Sequence, residues 1–247
     1  MADPYSVLAP FYERLGLADF GAQVAPRIFD FALRNGWMGR RAADLGCGAG
    51  HSSSWLIKHG YLLTCVDQSA AMLARAQDVL ANQGFSASQQ DIRILNGLND
   101  LDLAFAFGVF NELEAIKDLE QVFQSIYRIL RPEKWLIFDM LTIEGLFKRH
   151  ENHATLLLED ADVNIFAISQ VDYDRQAQSL RYIVYQRQGQ NWVRQETTRT
   201  LRAYPLAAVT ALLQRVGFQV LHVLKPNLER FDSAVGGAHA VVIAQKR

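Results

Sequence analysis

Three carboxylates, Asp44, Asp67 and Asp91, each stand at the end of a short run of strand-forming residues, and the first is followed at once by Gly46, Gly48 and Gly50. Carboxylates at the carboxyl ends of successive parallel strands can accept hydrogen bonds from the hydroxyl and amino groups of a nucleoside. Glycines at alternate positions let a turn approach a ligand closely, because no side chain intervenes and positive φ costs them little. The segment from Ala42 to Ser54 therefore reads as strand, ligand-facing turn and helix start, with the helix expected over Ser52 to His59 and its first N–H groups lacking intrahelical partners. Asp67 closes the β-branched run Leu62 to Val66, 17 positions after Gly50, where it can accept from both ribose hydroxyls of an adenosine. Its alternative role is to cap a helix over Ser69 to Leu80. Asp91, in Gln90-Asp91-Ile92, can accept from an adenine amino group while the Ile92 N–H meets a ring nitrogen. Alone it would read as a turn residue; as the third acidic strand end in order it reads as a ligand.

The turn also discriminates between cofactors. A dinucleotide fingerprint is G-x-G-x-x-G, whose third glycine packs helix on strand while the helix N-terminus faces a pyrophosphate. Here the pattern is G-x-G-x-G, and His51 occupies the place of that third glycine. D-L-G-C-G-A-G, the acidic end of strand two and the Q-D-I end of strand three together resemble the class I methyltransferases that use S-adenosylmethionine, a cofactor without phosphate. Two more segments are similar to that family. Tyr5 to Glu13 resembles the entry sequence Y-x-x-L-A-x-x-Y-D of many small-molecule methyltransferases, whose second tyrosine, here Tyr12, covers cofactor and acceptor; the match departs at Glu13, where aspartate is usual. Tyr12 packed on the core is the alternative. Gly108-Val109-Phe110-Asn111-Glu112-Leu113 resembles the family's strand-four loop, in which Asn111 and Glu112 are the polar members, unless either caps the next helix. The resemblance implies S-adenosyl-L-methionine as cofactor and S-adenosyl-L-homocysteine as product. It assigns cofactor binding to Tyr12, Gly46, Cys47, Gly48, Asp67, Gln68, Met72, Asp91, Ile92 and Phe107, and no metal.

The elements that must position these residues follow from periodicity. Phe20, Val24, Ile28 and Phe31 mark an amphipathic helix over Phe20 to Asn35, and Leu119 to Leu130 repeats a core-facing stripe. Strands are expected near 41–45, 62–66, 86–90, 101–107 and 135–140. Arg131-Pro132-Glu133-Lys134 resembles the family's L-R-P-G-G turn with both glycines replaced, so a different turn geometry is expected there. After Met140, alternation through Val163-Ile165-Ala167, Leu180-Tyr182-Val184 and Trp192 to Thr200 predicts a three-stranded antiparallel sheet inserted over 155–202. By resemblance, such an insertion roofs the acceptor pocket or forms a subunit interface. A helix over Pro205 to Val216 and strands over 218–225 and 238–245 complete the sheet. The expectation is an α/β fold: a doubly wound, mostly parallel seven-stranded sheet with its last strand antiparallel. One domain spans 1–247, divided into an N-terminal helical cap (1–40), a cofactor-binding half (41–145), the inserted sheet and a closing segment (203–247).

Composition sets limits on partners. The chain has 247 residues, 50% hydrophobic and 21% charged, with net charge −1 and no Lys-rich run. It is a poor candidate for nucleic-acid binding, which rests on phosphate neutralisation. No apolar run approaches the ~20 residues of a membrane span, and Met1-Ala2-Asp3-Pro4 does not open an export signal. Cys47 and Cys65 suit a reducing compartment, so a cytoplasmic location is expected. The basic excess lies in the inserted sheet, where Arg181, Arg187 and Arg194 form either an anion-attracting rim or a solvated face.

The chemistry implied is in-line displacement at a sulfonium methyl on a small-molecule N or O acceptor. Orientation alone can contribute about 7–11 kcal/mol to such a step. A general base would add ~10²–10⁴-fold, with His150, His153, Tyr12 and Glu13 the groups considered and none assigned. A nicotinamide-dependent enzyme and a non-catalytic cofactor-binding scaffold are the alternatives. A homodimer is compatible with the insertion.

Overall fold

A computed structural model describes residues 3–81, 83–148 and 153–247. Seven strands, β1 (Arg41–Leu45), β2 (Leu62–Asp67), β3 (Ser86–Gln89), β4 (Leu101–Ala106), β5 (Leu130–Leu141), β10 (Phe218–Leu224) and β11 (His239–Lys246), form one sheet in the order β10-β11-β5-β4-β1-β2-β3. Only β11 runs antiparallel to its neighbours. Strand order reverses between β1 and β4, which makes the carboxyl ends of these two strands the switch point where ligands bind in open α/β sheets. Every residue of β4 is buried, as expected of a central strand covered on both faces.

Helices α2 (Asp19–Arg34) and α3 (Ser54–Lys58) cover one face of this sheet. There Phe29, Ile28, Leu56, Phe105 and Ile137 form one core cluster. On the other face α5 (Ile116–Ile129) and α7 (Leu206–Val216) bury Phe123, Ile126, Leu212 and Leu213 against Phe138 and Val242. Helix α3 starts two residues later than periodicity predicts because His51 to Ser53 remain in a turn. The Ser53 hydroxyl donates to the buried Asp44 Oδ2 at 2.7 Å, tying that turn to the end of β1.

The inserted sheet has four strands, not three: β6 (Ala154–Glu159), β7 (Val163–Asp172), β8 (Ala177–Gln188) and β9 (Asn191–Arg202), all antiparallel in that order. The extra strand, β6, is almost wholly exposed and at an edge, so it lacks the alternating burial that identified the others. The inner face of this sheet, with Val163, Ile165, Ala167, Leu180, Tyr182 and Val184, packs on Leu8 and Phe11 of the N-terminal segment, which contains α1 (Tyr5–Leu8) and a 3-10 turn over Ala9–Phe11. The N-terminal segment thus lies between the inserted sheet and the sheet ends bearing the glycine turn. At the far end of the main sheet, β5 takes in the Arg131 to Lys134 segment, with Glu133 at φ 62. A left-handed residue there meets the geometric demand that a glycine would otherwise meet.

That far end is held by one carboxylate. Asp102 is buried, and its Oδ2 accepts from the backbone N–H groups of Arg40 and Arg41 at 2.7 and 3.0 Å while Arg131 pairs with Oδ1. Replacing Asp102 with Ala should cost about 2 kcal/mol, because two partly buried backbone donors and a guanidinium lose their acceptor. Urea unfolding should show that loss, and cofactor affinity should change less than twofold, since the opposite strand ends are untouched.

Candidate functional site

At the switch point the turn after β1 is built from left-handed glycines: Gly46, Gly48 and Gly50 have φ of 74, 54 and 80°. Space as well as conformation demands glycine. A Cβ at Gly46 would lie 2.6 Å from Val109 and one at Gly50 2.7 Å from Leu80. The N–H groups of Gly46 and Cys47 both donate to Val66 O, at 2.7 and 2.9 Å, and Gly48 N–H donates to Asp67 Oδ2 at 2.9 Å. Asp67 Oδ1 accepts from Ser69 N–H at 2.9 Å, while Ser69 itself caps α4 (Ala70–Val79). Asp67 is therefore not the helix cap. Each of its oxygens is left with a lone pair for a further donor, which is the capacity two ribose hydroxyls require.

Burial sets the protonation of this site. Asp67 is pushed up to about 6, because burial outweighs the two N–H bonds that favour its charged form. Asp44, also buried, is pushed up to about 7 by desolvation against the Ser53 hydrogen bond. The Cys47 thiol is raised by its hydrogen bond with Cys65 and then by burial, so it stays protonated and unreactive.

The N-terminal segment closes over this turn. The Tyr12 hydroxyl sits 3.1 Å from where a Cβ on Gly48 would be, and Met72 lines the same spot with Ala9 and Ala49. Asp3 accepts from Ser69 Oγ at 2.5 Å, and Tyr5 donates to Glu112, so the strap is held on both sides of the turn. Glu13 pairs with Arg75 at 2.9 Å and with His51 at 3.3 Å. Burial opposes ionisation of Glu13, but hydrogen bonds from its own backbone N–H, His51 and Arg75 hold it below the usual carboxylate range.

The remaining sequence-predicted residues scatter more widely. Ile92 is buried in the core cluster behind β3, and Asp91 is locked by Arg93, whose Nε lies 3.0 Å from both carboxylate oxygens. Gln68 is exposed, with its carbonyl accepting from Gln89 Nε2. Phe107 stacks edge-on with Phe29 next to Gly108, whose N–H donates to the buried Asp139 Oδ1 at 2.6 Å. Asp139 lies 3.4 Å from His239, on which Phe20 stacks. Among the possible bases, His153 is exposed ahead of β6 and His150 falls outside the described residues.

Neither Asn111 nor Glu112 caps a helix; the Ala115 N–H at the start of α5 donates to Asp118. Asn111 joins the strand-four loop to Leu141 through N–H and C=O, and to Arg202 O at 2.8 Å, pinning the inserted sheet to the core. Arg181 and Arg194 point to the outer face, where both meet Glu196, and Arg187 is exposed. Of the two readings left open by the sequence, rim or solvated face, this exposure favours the solvated face. Arg199, on the same sheet, instead points inward and pairs with Glu112 at 2.5 Å.

A family model described as a methyltransferase domain matches residues 43–138, from the middle of β1 to β5 and so including the glycine turn and Asp67. The chain is 29% identical over 190 residues to the putative methyltransferase YqeM of Bacillus subtilis, covering 74% of this chain and 75% of that one. A crystal structure of an S-adenosylmethionine-dependent methyltransferase from Clostridium acetobutylicum superimposes with a TM-score of 0.83 at 20% identity over 99% of both chains. Together these likenesses support a class I S-adenosylmethionine-dependent methyltransferase. The fold extends to the sugar N-methyltransferase KedS8 of Streptoalloteichus, with a TM-score of 0.77 and 16% identity over all of this chain and 94% of that one. The glycopeptide N-methyltransferase MtfA, whose structure holds S-adenosylmethionine, shares the fold with a TM-score of 0.57 and 18% identity over 90% of this chain and 87% of that one. That cofactor agrees with a glycine turn that offers backbone at close range and places His51 where a dinucleotide fold keeps glycine.

This methyltransferase should bind its product in a pH-dependent way. Ribose hydroxyls donating to Asp67 favour its ionised form, so affinity rises as pH climbs through the carboxyl's value of about 6. Titration calorimetry with S-adenosylhomocysteine should show about tenfold tighter binding at pH 7.5 than at pH 5, the change in ionised fraction across that range. Asp67→Asn should lose most of that step and bind about tenfold more weakly at pH 7.5.

Proposed function

We propose that this methyltransferase moves the methyl group of S-adenosylmethionine to a nitrogen or oxygen of a small molecule held beneath the four-stranded roof. The observation that carries this reading is the seating of the inserted sheet on the N-terminal segment, with Arg199 reaching from the roof to Glu112 in the strand-four loop. A lid of this kind over the carboxyl ends of β1 and β4 favours an acceptor small enough to be enclosed. The sugar N-methyltransferase among the structural neighbours, which keeps the same overall fold, supports a compact acceptor.

The bound cofactor supplies an already activated methyl on a positive sulfonium. The tasks left to the protein are to bind, to orient and to keep water out. Asp67 is proposed to hold the ribose, the Gly46–Gly48 turn to present backbone groups to the amino-acid end, and Tyr12 with Met72 to cover the cofactor. Gln68, Asp91, Ile92 and Phe107 complete the proposed binding set; Asp91 must share its carboxylate between Arg93 and an adenine amino group.

No side chain is assigned as general base. Burial raises the Tyr12 phenol far above neutral pH, and Glu13 is committed to Arg75 and His51. Catalysis by orientation suffices for an amine that arrives unprotonated, and such alignment can contribute about 7–11 kcal/mol. Among the described residues no helix is long and apolar enough to cross a membrane. Both cysteines are free and buried, which fits the cytoplasmic location we propose.

Incubating the enzyme with methyl-labelled cofactor and a cell extract separated by size tests this reading. Label should appear in the small-molecule fraction. Label confined to protein or nucleic acid would contradict the small acceptor.

A further inference from the structure

Beneath the roof lies a polar cluster that cofactor binding does not use. Arg199 of β9 is nine-tenths buried; one of its terminal nitrogens pairs with Glu112 Oε1, and its guanidinium carbon stands 5.2 Å from the centre of the Tyr5 ring. Tyr5 donates its hydroxyl to the same carboxylate. The cluster draws on three elements, namely the N-terminal helix, the 3-10 turn after β4 and the roof. It adjoins the cofactor turn, because Tyr12, whose hydroxyl overlies Gly48, feels the charges of Arg199, Glu112 and Asp67 together.

Two polar atoms in this region are buried without a hydrogen-bond partner: Nε of Arg199, a donor, and Oε1 of Gln178, an acceptor. Strand register puts both on the inner face of the roof. Gln178 faces Leu201 and Leu180 faces Arg199, so Gln178 and Arg199 are diagonal neighbours, within roughly 7–8 Å. Gln178 is fully buried, its Nε2 committed to Ser169 Oγ at 2.9 Å. Leaving such atoms unpaired is costly, and a native fold retains that cost where a ligand or a water relieves it.

We propose that Arg199 is the anchor for a carboxylate on the methyl acceptor, with Glu112 the ion-pair partner it exchanges and Gln178 a second polar contact for an N–H or O–H of the same molecule. This rests on the reading of a small acceptor under the roof, and it narrows that acceptor to a hydroxy or amino acid. Guanidinium suits the task, since it offers several donors in a plane and takes a carboxylate through two of them at once. The incoming carboxylate keeps Arg199 compensated, and Glu112, which is partly exposed to solvent, retains the Tyr5 hydroxyl when Arg199 turns to the ligand. The arginines of the outer face do not compete, being solvent-exposed and, at Arg181 and Arg194, already met by Glu196.

The account separates from a purely structural ion pair by the sign of one effect. If Glu112 only latches the roof, Glu112→Gln weakens everything beneath it. If Glu112 competes with the acceptor for Arg199, Glu112→Gln leaves a buried cation wanting an anion, and acids bind more tightly. The test is initial-rate methyl transfer at saturating S-adenosylmethionine to a panel of hydroxy and amino acids, each paired with its methyl ester. Acids should be used with kcat/KM at least tenfold above their esters, and Arg199→Gln should remove that difference with the affinity for S-adenosylhomocysteine changed less than twofold. Glu112→Gln should lower KM for the acid severalfold. The double variant, which removes both charges together, keeps the test available should Arg199→Gln alone not fold, and it should treat acid and ester alike. Equal use of acids and esters by the wild type, transfer only to neutral or cationic small acceptors, or a rise in acid KM in Glu112→Gln would each overturn the anchor while leaving the small-acceptor reading intact. Methylation of macromolecules alone would overturn both.

Discussion

The hydrogen bond from Gly48 N–H to Asp67 Oδ2 joins the end of β1 to the end of β2, and the ligand-binding end of the protein depends on it. It can form only because Gly48 adopts positive φ and presents its N–H toward the neighbouring strand. The same carboxylate accepts from Ser69 and so sets where α4 begins. Ser69 in turn reaches Asp3, which fixes the N-terminal strap. One buried carboxylate thus orders the turn, a helix start and, through Ser69, the strap that covers both. Its cost is desolvation, visible as a carboxyl titrating near 6, and a cofactor offering two hydroxyls offsets that cost.

The cleft's electrostatics follow the same logic. Asp44 and Asp67 are buried at the end where we propose a positively charged sulfonium compound binds, and the glycine turn itself contains no Lys or Arg. That balance suits a cationic, phosphate-free cofactor and is the reverse of a pyrophosphate site, where a helix N-terminus faces the anion. Arg199 stands apart under the roof, neutralised by Glu112.

Much of this was legible in the sequence because it was local. The glycine turn, the acidic strand ends and the positions of the seven strands along the chain could be read from spacing and periodicity, since buried strands and amphipathic helices advertise their faces. What escaped was long-range. Arg199 could not be told from the other arginines of the inserted sheet until the β8/β9 register put it opposite Leu180 on the inner face, while Arg194, opposite Tyr185, fell on the outer one. Strand β6 escaped because an exposed edge strand needs no alternation, and Gln178 because a buried glutamine leaves no pattern. Asn111 and Glu112 were noticed as polar members of a loop, but their partners lie 30 to 107 residues away in α1, β5 and β9. The Asp91–Arg93 lock is local and was missed for another reason: a residue two positions on in a tight turn returns to its neighbour.

In the proposed complex Asp67 serves fold and cofactor at once, keeping its two backbone donors while its remaining lone pairs take the ribose. A crystal structure with S-adenosylhomocysteine measures this directly. The account predicts both ribose hydroxyls within about 2.8 Å of the Asp67 oxygens, with the Gly48 and Ser69 N–H bonds intact. A ribose turned away from Asp67, or bound only after the Gly48 bond breaks, would contradict it.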